Sequence, residues 1–260
     1  MSYRFEPGKP LEEQLRAVFA EQIQFAITNL RVYPEPEPEG LHSARKCLKR
    51  LRALLRLLRK KKFKPAQKAY NTRLREIAFE LSPYRDKEVI DLLLLPFQEQ
   101  NMDTVSNLGS IDAEIEDSVI EELEALGNTF DRTVLSPFAV RHLKKGMETC
   151  REIMVAAYRQ YAITKSQVHL HEFRKRVKDH TYHMELMDAF SSQDTYYRTQ
   201  VGELEDLLGD ARDCDLVSDY LKDSKELPEQ TIKDAKVHFI LTRDRIMKEA
   251  MKLAEGVFAG

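Results

Sequence analysis

From Leu11 to Leu30, apolar residues stand at positions 11, 15, 18, 19, 23, 26 and 30, the spacing of one face of a helix. A second such pattern opens at His42. Ala44, Cys47, Leu48, Leu51, Leu54, Leu55 and Leu58 share one side of its helical projection, and Arg45, Lys46, Lys49, Arg52, Arg56 and Lys60 share the other with His42. Between the two helices, Pro34-Glu35-Pro36-Glu37-Pro38-Glu39-Gly40 cannot stay helical and reads as an acidic, solvated linker. A third helix is expected from Pro65 to Leu81, stopped by Pro83. Asp86 is placed to cap a fourth helix that runs through Leu92–Leu95. Ser136-Pro137 restarts a helix carrying Arg141, Lys144, Lys145 and Arg151. No segment alternates apolar and polar residues with period two, so the fold class is all-α.

Charge changes the picture at the second helix. Residues 42–64 hold eleven Lys or Arg and no Asp or Glu, although the whole chain has 41 basic and 43 acidic residues. Elsewhere, then, 30 basic residues face 43 acidic ones. Like charges one helical turn apart repel, and a solvated helix surface ordinarily mixes signs. Such a face awaits an external anion, is a solvated basic face, or pairs with acidic helices elsewhere in the chain; the sign does reverse at residues 112–124, with seven acids and no cation.

The pattern then returns. HEFRKRVKDHTYHMEL from His171 overlays HSARKCLKRLRALLRL from His42, pairing His171 with His42, Arg174 with Arg45, Lys175 with Lys46 and Lys178 with Lys49, an offset of 129. Arg212-Asp213 likewise matches Arg85-Asp86 at an offset of 127. Two motifs recurring in order at nearly one spacing suggest a duplicated helical unit, too long for a solenoid repeat. The expected organisation is one domain of two consecutive bundles, about 9–130 and about 136–256, related by a pseudo-twofold axis. Near such an axis the two basic faces would line a shared groove.

H-x-x-R-K-x-x-K on a basic helix, followed by an R-D element and repeated once, resembles the CHAD (conserved histidine α-helical domain) family. The resemblance covers essentially the whole chain and implies two helical bundles around a central basic cavity, with inorganic polyphosphate as ligand and no catalytic role. Residue by residue it implicates His42, Arg45, Lys46, Lys49, Arg50, Arg52 and Arg56, then His171, Arg174, Lys175 and Lys178, with Arg85 and Arg212 as further candidate contacts. The second copy departs from the first at Glu172, Asp179 and Glu185. Its companion R-D element reads R-D-K-E in the first half and R-D-C-D in the second.

The residues support a linear polyanion on their own. Eighteen helical residues from His42 to Lys60 would extend about 27 Å. Arginine offers forked contacts to phosphate oxygens and lysine offers mobile point charges. No glycine-rich phosphate cradle is present, and no aromatics interleave with the cations of 42–62 for base stacking, which disfavours nucleic acid. A metal-dependent phosphohydrolase, or a nucleic-acid or anionic-membrane binder, stays as the alternative. His169-x-His171 is the one metal-like spacing, without supporting acids, so no metal or cofactor is expected. His180 falls on the apolar side of its helix, a core position. Cys47, Cys150 and Cys214 are too far apart for a metal or redox motif, and no stretch could span a membrane. With an N-terminus unlike a secretory signal, the expected setting is cytoplasmic; the resemblance to a polyphosphate-binding family adds an association with polyphosphate granules as an expectation.

Overall fold

The computed structural model describes residues 3–32, 39–97, 111–133, 135, 138–190, 194–224 and 227–258. Among these residues there are α-helices and short 3-10 turns and no strand. The helices are α1 (Leu11–Arg31), α2 (Glu39–Leu57), α3 (Lys64–Glu80), α4 (Ser82–Leu94), α5 (Ala113–Arg132), α6 (Val140–Thr164), α7 (Gln167–Leu186), α8 (Thr195–Asp223) and α9 (Glu229–Phe258). They form two compact units, one from Met1–Leu81 with Ile111–Asp194 and one from Ser82–Ser110 with Thr195–Gly260. Each unit takes helices from both sequence halves, so compactness does not follow the consecutive division at 9–130 and 136–256.

In the first unit α2 is the hub, packed against α1, α3, α6 and α7. Its predicted apolar side is fully interior: Ala44, Cys47, Leu48, Leu51, Leu54, Leu55 and Leu58 are all buried, and Leu41, Ala53 and Leu57 widen the stripe. Each buried leucine contributes about 1.5–3 kcal/mol of transfer free energy, so this helix anchors the unit. On its flank, Phe19 of α1 stacks on Phe130 of α5, with ring centroids 3.8 Å apart. Arg16 closes the α5 end by donating to the carbonyls of Phe130 and Thr133 at 3.1 and 2.9 Å.

Two boundaries differ from expectation. The basic helix stops at Leu57, so its cationic face from His42 to Arg56 extends about 21 Å rather than 27 Å. Its end is held from outside. Gln67 Nε2 donates to the Leu55 carbonyl at 2.6 Å, Cys150 Sγ lies 3.8 Å from the Arg56 carbonyl, and the Leu57 carbonyl meets Gly146 of α6 so closely that a Cβ there would fall 2.5 Å from the oxygen. The last-turn carbonyls of Leu55 and Leu57 also accept the local N–H groups of Leu58 and Arg59, at 3.1 and 2.9 Å, so local turns and distant residues together close the helix end. Second, α4 starts at Ser82 with Pro83 in its first turn, where proline's missing N–H costs nothing. Asp86 is therefore inside the helix and is not its cap. Most of the Pro34–Gly40 linker lies outside the described residues, and α2 already begins at Glu39.

In the second unit α4 and α9 both pack on α8. Ile90 and Leu94 of α4 join Cys214, Val217 and Leu221 of α8 and Ala235 and Phe239 of α9 in one apolar core. All three cysteines are buried and free, and burial raises the thiols of Cys47 and Cys214 to about 11. Among the described residues no helix is long and apolar enough to cross a membrane.

Candidate anion site on α2 and α7

Helices α2 and α7 lie side by side and antiparallel. Arg50 pairs with Glu185, His183 Nε2 lies 2.9 Å from the Ala53 carbonyl, and Arg56 Nη1 reaches Asp179 Oδ1 at 2.7 Å. Numbers rise on one helix as they fall on the other. A carbonyl only accepts, so His183 must carry its proton on Nε2.

The acids that interrupt the second copy of the motif are thus counter-charges. Glu185 and Asp179 cross to α2, and Glu172 pairs within α7 with Lys175 and, at 2.7 Å, with Arg176. Cations outnumber them. The charges of Arg56, Arg176, Arg52 and Lys175 all bear on the single buried carboxylate of Asp179; burial raises that carboxyl above its usual range and the four cations pull it back. Arg52 shows the crowding from the other side. Burial first, then the like charge of Arg56, pushes its guanidinium down to about 10.

The predicted residues divide by use. His42 and Lys46 are exposed, and Lys49 and Arg52 are half-buried on the open side of α2. Arg52 Nε also donates to Asn71 Oδ1 at 3.2 Å, and Arg45 donates to the Ala78 carbonyl of α3 at 2.6 Å. Arg50 is committed to the interior: besides Glu185, it lies 5.0 Å over the ring of Tyr3 and 5.9 Å over that of Tyr182, and the Tyr3 hydroxyl donates to its carbonyl. On α7, His171 is exposed, Arg174, Lys175 and Lys178 are half-buried, and Lys178 sits 5.8 Å over the Tyr182 ring. The antiparallel register places His42 and His171 at opposite ends of the pair, about 30 Å apart along the axes. The two basic faces adjoin; the two histidines do not meet.

Arg85 and Arg212 belong to the second unit. Arg85 pairs at 3.0 Å with Glu88, which is buried, and Arg212 reaches Asp86 at 3.3 Å. The two R-D elements are thereby joined, with the acid of the first holding the cation of the second.

Three further histidines serve the packing and the helix ends. His180 is fully buried as expected, with burial pushing its ring to about 4, and burial pushes His183 to about 3. His169 Nδ1 lies 2.7 Å from the Thr164 hydroxyl and 2.9 Å from that of Ser166, which caps α7, so the H-x-H spacing serves a helix start. Among the described residues no group of three His, Cys, Asp or Glu is placed to hold a metal ion. The acids of 112–124 lie on or just before α5, where Glu122 pairs with Arg73 and Glu124 with Arg31. Sequence reasoning missed Arg176 and His183. The Glu172–Arg176 spacing of four residues was the available signal for the first.

The CHAD domain family pattern matches residues 17–222 of the 260. No curated protein matches the sequence. Among solved structures, the crystal structure of the CHAD domain from the plant Ricinus communis superposes with a TM-score of 0.74 at 16% identity, over 100% of this chain and 96% of that one. Helix order, the paired basic helices and a family match over most of the sequence agree: the chain belongs to the CHAD domain family.

Proposed function

We propose that this chain binds inorganic polyphosphate, or a closely similar linear polyanion, along the open side of α2 and across to α7, as a binding module with no catalytic step. One observation carries this reading: Arg52, Arg56, Lys175 and Arg176 gather around one buried carboxylate, Asp179, with Glu172 as the second acid among them, and burial with like charge already depresses Arg52. An arriving polyanion relieves that repulsion without needing a counter-charge from the protein. The exposed Lys46 and half-buried Lys49, about one turn apart, offer mobile contacts beside it. The duplication belongs to the same reading. With an offset of 129, the Arg50–Glu185 pair maps onto Asp179–Arg56, which supports a pseudo-twofold axis between α2 and α7. A reducing, cytoplasmic setting fits three buried free thiols.

Calorimetry with long-chain polyphosphate and with duplex DNA of equal charge tests it. Polyphosphate should bind more tightly, and affinity should fall steeply with salt. Lys46→Glu with Lys49→Glu should cost about tenfold or more in affinity at unchanged helical circular dichroism, and Lys175→Glu with Lys178→Glu should cost a similar factor. Equal or better binding of DNA overturns the ligand, and normal binding by the α2 variant overturns the site. Release of orthophosphate during the titration overturns the non-catalytic role. Loss in the α2 variant alone reduces the site to one helix.

A further inference from the structure

Beyond Arg56 the chain carries a second concentration of positive charge on a fixed support. Arg59, Lys61, Lys62 and Lys64 are all exposed on the turn between α2 and α3, and among the described residues none of them has an ion pair. The turn is anchored from below. Phe63 is buried and meets the Phe138 ring edge-on at 5.9 Å, Lys60 lies 5.1 Å over that same ring, and Gly146 of α6 closes on the Leu57 carbonyl. Phe138 leads directly into α6, so the start of that helix stands beside the turn. Partial burial, Lys60 and Arg141 together hold the His142 ring below its ordinary value. Exposed Arg141 and Lys145 extend the cationic surface along α6. The next acid along α6, Glu148, makes no ion pair with Lys145 among the described residues. The first turns of α3 and α6 contain no acid, so their helix dipoles add to this field.

We propose that this turn and the first turns of α6 form a platform for the far part of a long phosphate chain, taking the segment that runs past the about 21 Å face of α2. The proposal rests on polyphosphate binding at α2 and deepens it: the α2–α7 face sets affinity for phosphate as such, and the platform makes affinity depend on chain length. The anchored turn fixes the backbone from which these cations project, so binding has only their side chains to order.

The test compares tripolyphosphate with long-chain polyphosphate on the wild-type chain and on a Lys61→Glu, Lys62→Glu, Lys145→Glu variant. The variant should lose about tenfold in long-chain affinity and show a shallower salt dependence, with tripolyphosphate binding unchanged. The corresponding triple Gln variant, which removes charge without reversing it, should give a smaller loss in the same direction and guards against misfolding of the Glu variant. Long-chain affinity that does not change, or that falls in parallel with tripolyphosphate affinity, overturns the platform alone. A wild-type chain that binds neither phosphate overturns the α2 reading and the platform with it. A loss confined to duplex DNA reassigns the surface and also overturns the proposal.

Discussion

Helices α2 and α7 carry the same motif but differ where they touch. At the outer positions the sign is shared: Arg45 and Arg174, Lys46 and Lys175, Lys49 and Lys178. Near the crossing it is reversed, with Arg50 and Arg56 on α2 matched by Asp179 and Glu185 on α7. The antiparallel register explains the reversal. Position 50 faces 185 and position 56 faces 179, so two identical copies would have set Arg against Arg in a half-buried seam. Acids on one helix turn two repulsions into two ion pairs and keep the outer positions of both copies cationic. The apolar side diverges as well: fully buried Leu51 and Leu54 are matched on α7 by fully buried His180 and His183.

Removing one side of the seam is the strongest way to break this contrast. Asp179→Ala should lower stability by about 3 kcal/mol in urea denaturation, because Arg56 and Arg176 lose their buried partner. Adding Arg56→Ala should restore part of that loss. The same Asp179→Ala change should tighten polyphosphate binding, since a competing anion is gone. A loss well under 1 kcal/mol would mean the seam is not held by its charges.

The histidine-for-leucine difference predicts acid sensitivity. Both rings have folded-state values depressed below the ordinary ~6.5, to about 4 and about 3, so on acidification the unfolded chain takes up protons first. Stability is full above about pH 6.5 and falls as pH drops toward 4, by up to about 1.4 kcal/mol per pH unit for each ring. Asp179, whose carboxyl is raised by burial, opposes this only once it binds its own proton at the acid end. His180→Leu, which restores the residue found at the matching position of α2, should remove about half of the decline in melting temperature between pH 7 and 5. An unchanged pH profile in that variant would place the acid sensitivity elsewhere.

The smallest effect is expected at the outer pair. Glu185 is 41% exposed, and Arg50 keeps its two tyrosine rings without it, so Glu185→Gln should cost at most about 1 kcal/mol. A loss as large as that of Asp179→Ala would make the two matched pairs energetically equal despite their different burial.

The sequence made α2 readable because its apolar and cationic residues separate so cleanly, and the burial of 44, 47, 48, 51, 54, 55 and 58 follows directly. What it could not reveal depends on partners far along the chain. Helix α2 ends at Leu57 where contacts from Gln67, Gly146 and Cys150 converge, and nothing local marks that end. Glu172, Asp179 and Glu185 looked like dilution of a basic motif because two of their partners sit some 130 residues upstream. Pro83 was legible as a punctuation mark, but whether it ends one helix or opens the next depends on the residues after it, and here it opens α4.

The interleaving of the two units carries a consequence for how the molecule is made. The chain leaves the first unit after Leu81, lays down α4, and returns at Ile111 before finishing that unit near Asp194. During synthesis α4 therefore exists for about a hundred residues before α8, its main packing partner, is available. Likewise the end of α2 waits for α6 and α7 to supply Gly146, Cys150 and His183. Contacts of such long sequence separation carry a loop-closure penalty before any of them is rewarded, which favours slow folding and transient exposure of the Ile90–Leu94 face. A fragment cut at the repeat boundary would keep the motif and lose the partners that close it.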